Sequence, residues 1–149
     1  MKLTLKLTAA FLFLQLCTTS SFAQRSRPAF DHANKTYFIG YWELSQAGAQ
    51  GGQLNKVGPG YLKIFNADGT FTNIQTAKTG AVITHSGQFS VNTRTDYTEV
   101  ANYRVPQMIG GPLGRQFPLT YEFSADKKFI TINYTLESGG SFTEVWKRL

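Results

Sequence analysis

Eight stretches of the chain alternate between apolar and polar residues, or are rich in β-branched and aromatic residues. They cover residues 37–46, 60–66, 70–75, 82–92, 96–104, 118–124, 128–136 and 141–148. A period of two places every second side chain on the same face of a sheet, so each stretch is predicted to be a strand. No segment between them has a spacing that demands a helix. The pattern therefore predicts a single all-β domain.

The connections between these strands differ in length in a regular way. Tight turns join strands two and three, four and five, and six and seven; the first of them reads Asn66-Ala67-Asp68-Gly69. The alternate connections include two long ones, at 47–59 and 105–117, although 137–140 is short. Alternate connections of an up-and-down meander lie at the same end. The sequence therefore predicts an eight-stranded antiparallel up-and-down β-barrel, closed at one end and ringed by long loops at the other.

The first and last strands carry matching aromatic and basic residues. Gly40 and Trp42 stand in the first strand, and Glu144 and Arg148 share a face of the last. Closing a barrel pairs its first strand with its last, which brings Trp42 and Arg148 to one end, where a guanidinium can lie on the indole. We expect these four residues to close the floor of the barrel, with Glu144 and Arg148 hydrogen-bonded to each other.

A second polar group is predicted inside the barrel on the fifth strand. Tyr97, Glu99 and Tyr103 share one face there. A carboxylate that points into a barrel is costly unless it is paired or hydrated. One interpretation is that Glu99 orients a ligand in an otherwise apolar pocket. We therefore predict a ligand-binding wall of Tyr97, Glu99, Tyr103 and, from the next strand, Tyr121.

The first 23 residues have the pattern of a signal peptide. Lys2 and Lys6 precede an apolar run at 9–16, and small residues occupy the cleavage positions before Gln24. We expect an exported protein, periplasmic or secreted, with an arm at 24–36 and the barrel at 37–149. No later segment is apolar enough to predict a transmembrane span.

The single cysteine, Cys17, falls inside this predicted leader. It follows Leu16, where a lipoprotein cleavage site requires a small side chain, so lipid anchoring through Cys17 is not expected. Cleavage after Ala23 leaves a domain without disulfides, which must be held together by its core.

Charge and motifs exclude several classes of function. The formal net charge of +6 falls to +4 without the leader, and its basic residues are scattered, which argues against nucleic-acid binding. The two histidines, His32 and His85, are too few for a zinc site without cysteine. His85 is predicted to be solvated, and its neighbour Ser86 points to the opposite face. We expect no catalytic residues, metal or cofactor, and no enzymatic activity; a hydrolytic pair of Glu99 and Glu144 is the remaining alternative.

The predicted mouth carries a small excess of positive charge. Lys56, Lys78 and Arg115 lie in its loops against Glu137. A positive rim favours an anionic or amphipathic ligand.

The motifs resemble those of a known superfamily. Gly40-Tyr41-Trp42 with Arg148 resembles the signature of the lipocalins (calycins), in which the tryptophan plugs the closed end and the late arginine packs over it. The segments 40–44, 63–71, 87–89, 97–99 and 144–148 resemble more closely a lipocalin-like domain of unknown function in exported proteins of Gram-negative bacteria. The resemblance implies an eight-stranded barrel with an internal cavity and no established catalytic set. Unlike true lipocalins, the chain is short, and it lacks their disulfides and the helix that follows their last strand.

The function expected from the sequence is the binding of a small apolar or amphipathic molecule, anions included, in the barrel cavity. The alternative is a non-catalytic interaction module, in which aromatic side chains fill the interior and the loops 47–59 and 105–117 dock a protein or a glycan.

Overall fold

The structure is a computed structural model that describes residues 30–106 and 112–149, with only the helical backbone described for 30–33. The signal peptide predicted at 1–23 and the first part of the arm lie outside these residues. One helix, α1 (Phe30–Phe38), precedes nine strands. The strands are β1 (Gly40–Ala49), β2 (Asn55–Lys56), β3 (Tyr61–Phe65), β4 (Thr70–Ala77), β5 (Gly80–Val91), β6 (Asp96–Arg104), β7 (Gln116–Phe123), β8 (Phe129–Thr135) and β9 (Ser141–Arg148).

The strands form a closed antiparallel barrel. β1 pairs with β3, each strand from β3 to β8 pairs with the next, and β9 pairs back with β1. Eight strands close the barrel, which confirms the predicted fold class. The ninth strand, β2, is two residues long and pairs with Gln46 and Ala47 of β1. It is too short to produce an alternating pattern in the sequence. Within the two described ranges, no helix has the length and apolar character needed to cross a membrane.

The chain enters the barrel through a helix rather than a strand. The sequence places 37 and 38 in the first strand, but both residues end α1, and β1 begins at Gly40. Gly40 has a φ of +138°, a conformation that other residues rarely adopt, and it turns the chain from the helix into the strand. A nine-residue, largely polar helix has little stability by itself, so it depends on the packing of its last residue, Phe38, inside the barrel.

The closed half of the barrel is filled by aromatic side chains. Phe38 is fully buried, and its ring centroid lies 4.7–5.9 Å from those of five other rings. These are the rings of Phe65, Phe89, Tyr97, Tyr121 and Phe123. Helix α1 therefore closes one end of the barrel from inside, and aromatic rings pack around its last residue in that half.

Three bulges interrupt the alternation of the strands. Ser45 in β1, Thr84 in β5 and Asn102 in β6 have no partner on the neighbouring strand at the points where the register shifts. Each bulge inserts one residue and so reverses which following side chains face inward. All three lie in the half of the barrel away from α1, where they decide which residues surround the interior.

Candidate functional site

The half of the barrel away from α1 contains a cavity of about 570 Å³. Its lining extends to Pro112 and Arg115 in the long β6–β7 connection and to Glu137 in the β8–β9 connection. The cavity therefore lies at the end where the sequence places the long loops. Most of its wall is apolar or aromatic, and the largest of these side chains are Phe71, Phe117, Leu119, Tyr134, Phe142 and Trp146.

An ion pair lies at the inner end of this cavity. Lys63 Nζ is 2.6 Å from Glu99 Oε1, and the two side chains are only 5% and 9% exposed. Tyr97 donates its hydroxyl to the same oxygen over 3.1 Å. Burial, and then the Glu99 charge, raise the pKa of Tyr97 well above its usual value, so this hydroxyl remains a donor.

Aromatic rings surround the Lys63 ammonium group. Its nitrogen lies 5.3–5.6 Å from the ring centroids of Phe71, Phe65 and Trp146. Cation–π contacts of this kind add to the attraction of Glu99 and fix the lysine in place. The pair is neutral as a whole, and it separates the packed half of the barrel from the hollow half.

Glu144 lies on the cavity wall and does not contact Arg148. Its Oε1 accepts a hydrogen bond from the Tyr134 hydroxyl over 2.9 Å, and its Oε2 accepts one from Trp146 Nε1 over 2.9 Å. Burial, and then the Glu144 charge, raise the pKa of Tyr134. The predicted Glu144–Arg148 hydrogen bond is therefore wrong: the two residues share a strand face but use different partners, and Glu144 belongs to the cavity.

Arg148 lies at the closed end with Trp42. Its Cζ is 4.6 Å from the centroid of the Trp42 ring, and the two residues are register partners in β9 and β1. Arg148 also donates to the carbonyl oxygens of Ile39, over 3.2 Å, and Tyr37. Trp42, which is fully buried, donates its Nε1 to the Phe38 carbonyl over 2.8 Å. The structure thus ties Trp42 and Arg148 to the end of α1, beside Gly40.

His85 belongs to a polar cluster on the cavity wall, so its predicted solvation is wrong. Asn73 Nδ2 and His85 Nε2 are 2.8 Å apart, and Thr84 Oγ1 lies 3.1 Å from His85 Nδ1. Burial, and then the positive charges of Lys63 and Arg104, lower the pKa of His85 to about 4, with Glu99 opposing them. His85 is therefore neutral near pH 7. Asn73 is 7% exposed, and its Oδ1 has no partner among the described residues.

Of the four residues predicted to bind a ligand, only Glu99 lines the cavity. Tyr97 is fully buried beneath it. Tyr121 packs against Phe38 in the closed half and donates its hydroxyl to the Thr93 carbonyl over 3.0 Å. The prediction that Tyr97 and Tyr121 line the cavity is wrong, because both lie in the half of the barrel that α1 fills.

Tyr103 is on the outer face and 48% exposed. The bulge at Asn102 turns it outward, and Arg104 lines the cavity instead. Lys63, Asn73 and Arg104 also line the cavity, and none of them was predicted as a wall residue from the sequence. Lys63 did leave a signal, because it is a lone charge within the apolar strand Tyr61–Phe65.

The charges that line the cavity balance. The cations are Lys63, Arg104 and Arg115, and the carboxylates are Glu99, Glu137 and Glu144. At the rim, Arg115 Nη1 pairs with Glu137 Oε1 over 2.7 Å, with both side chains largely exposed. The positive excess expected at the mouth therefore does not extend into the cavity. Within the described ranges, no group of three or more His, Cys, Asp or Glu side chains is placed to hold a metal ion.

These features define a closed eight-stranded antiparallel barrel with one packed half and one hollow half. The chain belongs to the family described as domain of unknown function DUF4488, whose model matches residues 37–149. No curated protein matches the chain.

Among solved structures, the chain is similar to designed β-barrels. A redesigned β-barrel shares 13% identity at a TM-score of 0.51, over 78% of this chain and 95% of that one. A de novo designed fluorescence-activating β-barrel shares 11% identity at a TM-score of 0.48, over 77% and 96%. A redesigned β-barrel bound to DFHBI shares 14% identity at a TM-score of 0.47, over 77% and 98%. At these identities the similarity shows the fold alone.

Proposed function

We propose that this protein binds a small amphipathic molecule in the hollow half of its barrel, without catalysis. The observation that carries the proposal is the cavity of about 570 Å³. Pockets for small ligands measure about 300–1,000 Å³ and combine an apolar wall with a few fixed polar groups. The closed half of the same barrel is packed with aromatic rings. The side chains of this protein therefore fill the barrel interior where packing serves only stability.

The two walls of the cavity suit the two ends of such a molecule. Phe117, Phe142 and Trp146 offer apolar surface to a hydrocarbon or ring system. The polar groups fix its orientation: Glu144 is held by two donors, and the amide oxygen of the buried Asn73 has no partner among residues 30–106 and 112–149. Both kinds of contact are needed, because apolar burial supplies affinity while fixed polar groups supply specificity.

Binding without a reaction is supported by how the buried carboxylate Glu99 is engaged. Glu99 is ion-paired with Lys63 and accepts a hydrogen bond from Tyr97. A general base needs a geometry that leaves it available to a substrate proton. We further propose export to the periplasm or the medium, with the lipocalin-like barrel as the mature domain; the leader pattern before Gln24 supports this.

The first test is native mass spectrometry of the mature protein, purified without detergent. A co-purified small molecule at near-unit stoichiometry supports the proposal and gives the ligand mass. Ala101→Phe, which places a ring inside the cavity, should abolish this adduct. Gln88→Phe adds the same ring on the exposed outer face of β5 and should leave the adduct unchanged.

A second readout covers the case in which the ligand is lost during purification. Wild type should show a thermal shift with members of a panel of fatty acids, fatty amines and alcohols, and Ala101→Phe should not. A clean apo mass with no shift across the panel would contradict ligand binding. It would favour the alternative, in which the long loops dock a protein or a glycan.

A further inference from the structure

We propose that the polar end of the ligand is an ammonium group, a protonated amine, seated against Glu144. This inference rests on the proposed function and specifies its ligand class. The basic residues of the loops favour an anionic ligand. The charges around the cavity differ from those in the loops, and they favour a cation instead.

The Glu144 carboxylate is fixed in place and has capacity left. Tyr134 holds one oxygen and Trp146 the other, each over 2.9 Å. An ionised carboxylate has about four lone-pair sites, so two neutral donors leave about half of them unused. Because both oxygens are anchored, the carboxylate keeps one orientation on the cavity wall. A donor from the ligand therefore meets a preorganised acceptor.

Within the described part of the chain, Glu144 also has no ion-pair partner. Among the described residues, the ion pairs join Lys63 to Glu99 and Arg115 to Glu137, and neither includes Glu144. A carboxylate that is partly removed from water is destabilised unless a positive charge compensates it. The lysine nearest the inner end is already committed to Glu99 at 2.6 Å. A cation brought by the ligand supplies the missing charge.

Aromatic rings flank this carboxylate on the same wall. The Tyr134 and Phe142 rings stack with centroids 5.7 Å apart, and Phe117 packs edge-on against Tyr134 at 5.8 Å. Aromatic faces carry negative potential, so they attract ammonium groups and disfavour anions. A carboxylate beside aromatic faces is the combination that recognises an alkylammonium group.

The polar cluster on β4 and β5 agrees with a donor ligand. Asn73 Oδ1 is a buried acceptor with no partner in the part of the chain that the structure describes, and a ligand N–H would satisfy it. The pKa of His85 is lowered to about 4, so its imidazole is neutral near pH 7 and adds no positive charge that would attract an anion. Arg104 is the cation that an anionic ligand would use instead, and it lies on β6, a different strand from Glu144.

The test compares three probes with the same decyl chain: decylammonium, decanol and decanoate. Each is titrated below its micelle concentration, and binding is read from tryptophan fluorescence and by calorimetry. We expect decylammonium to bind at least about tenfold more tightly than decanol, and decanoate to bind most weakly. Glu144→Gln should bring the ammonium probe to within about twofold of decanol. Glu122→Gln removes a carboxylate from the exposed outer face of β7, away from the cavity, and should keep the wild-type order.

The outcomes separate this inference from the proposed function. Tight binding of decanoate with weak binding of the ammonium probe overturns the ammonium site but keeps a ligand-binding barrel. Binding of none of the three probes counts against both. An ammonium preference that survives in Glu144→Gln overturns the role of Glu144. Should that variant not fold, the order of the three probes in the wild-type protein decides the ligand class.

Discussion

Lys63 and Glu99 form an ion pair across the interior of the barrel, from β3 to β6, with two strands between them in the sheet order. The Tyr97 hydroxyl completes the pair on its closed side, and Phe71 and Trp146 line the cavity beside it. The pair thus lies at the boundary between the packed half and the hollow half. At the inner end of the cavity it forms a polar surface in which the positive charge of Lys63 and the negative charge of Glu99 cancel.

Lys63→Met should destabilise the protein by about 3–5 kcal/mol, because it leaves the Glu99 carboxylate buried without a partner. Urea unfolding followed by circular dichroism measures this loss. The double variant with Lys63→Met and Glu99→Gln should recover much of it, since no unpaired charge remains. The exposed Arg115–Glu137 pair is the control: Arg115→Ala should cost no more than about 1 kcal/mol. Equal effects at both pairs would contradict the burial of Lys63 and Glu99.

Stability should fall as the pH is lowered from about 6.5 to about 4, in part because of His85. Its pKa is lowered in the folded protein to about 4 from 6.5, so in this window the unfolded chain binds the proton and the folded chain does not. Its contribution is therefore complete above pH 6.5 and is lost towards pH 4. The shift corresponds to at most about 3 kcal/mol.

The measurement is the free energy of unfolding as a function of pH for wild type and His85→Gln. The variant should lose the part of the slope between pH 6.5 and pH 4 that His85 contributes, while the carboxylates keep their share. Parallel curves for the two proteins would show that His85 is solvated in solution.

Trp42→Ala should unfold the protein or cost about 3–5 kcal/mol, because it opens a cavity beneath α1 and removes the hydrogen bond to the Phe38 carbonyl. Thermal melting of the variant measures the loss. Tyr41→Ala, at the neighbouring outward position that is 61% exposed, is the control and should change stability by less than about 1 kcal/mol. A Trp42→Ala protein that melts like wild type would rule out the closing role of Trp42.

Gly87→Ala should disrupt the pairing of β5 with β6. An added Cβ would collide with the Val100 carbonyl oxygen and lie 2.8 Å from its carbon, so the backbone must shift at a cost of at least about 1–3 kcal/mol. Gly58→Ala is a matched control, since its Cβ would have no atom within 4 Å. It should be neutral to within about 0.5 kcal/mol. Chemical denaturation of both variants distinguishes a steric requirement at Gly87 from a general preference for glycine.

Much of the barrel was predictable because alternation and turn chemistry are local. The eight main strands and the tight turns follow from the period of two and from sequences such as 66–69, and pairing Trp42 with Arg148 follows from closure. Helix α1 was missed because its sequence is short and polar. What stabilises it is the contact of Phe38 with rings that are distant in the chain.

The site was predicted less well, because face assignments depend on an unbroken register. Glu99 was placed correctly on the cavity wall, but the bulge at Asn102 exchanged Tyr103 for Arg104, and His85 was predicted to be solvated although it alternates with Phe89 and pairs with Asn73. The amino-acid sequence by itself determined the class of fold, the order of the strands and which end carries the long loops. Only the tertiary structure decided which half is hollow and which charges meet there. Those outcomes depend on bulges and on ring packing between strands far apart in the chain, and neither leaves a local pattern.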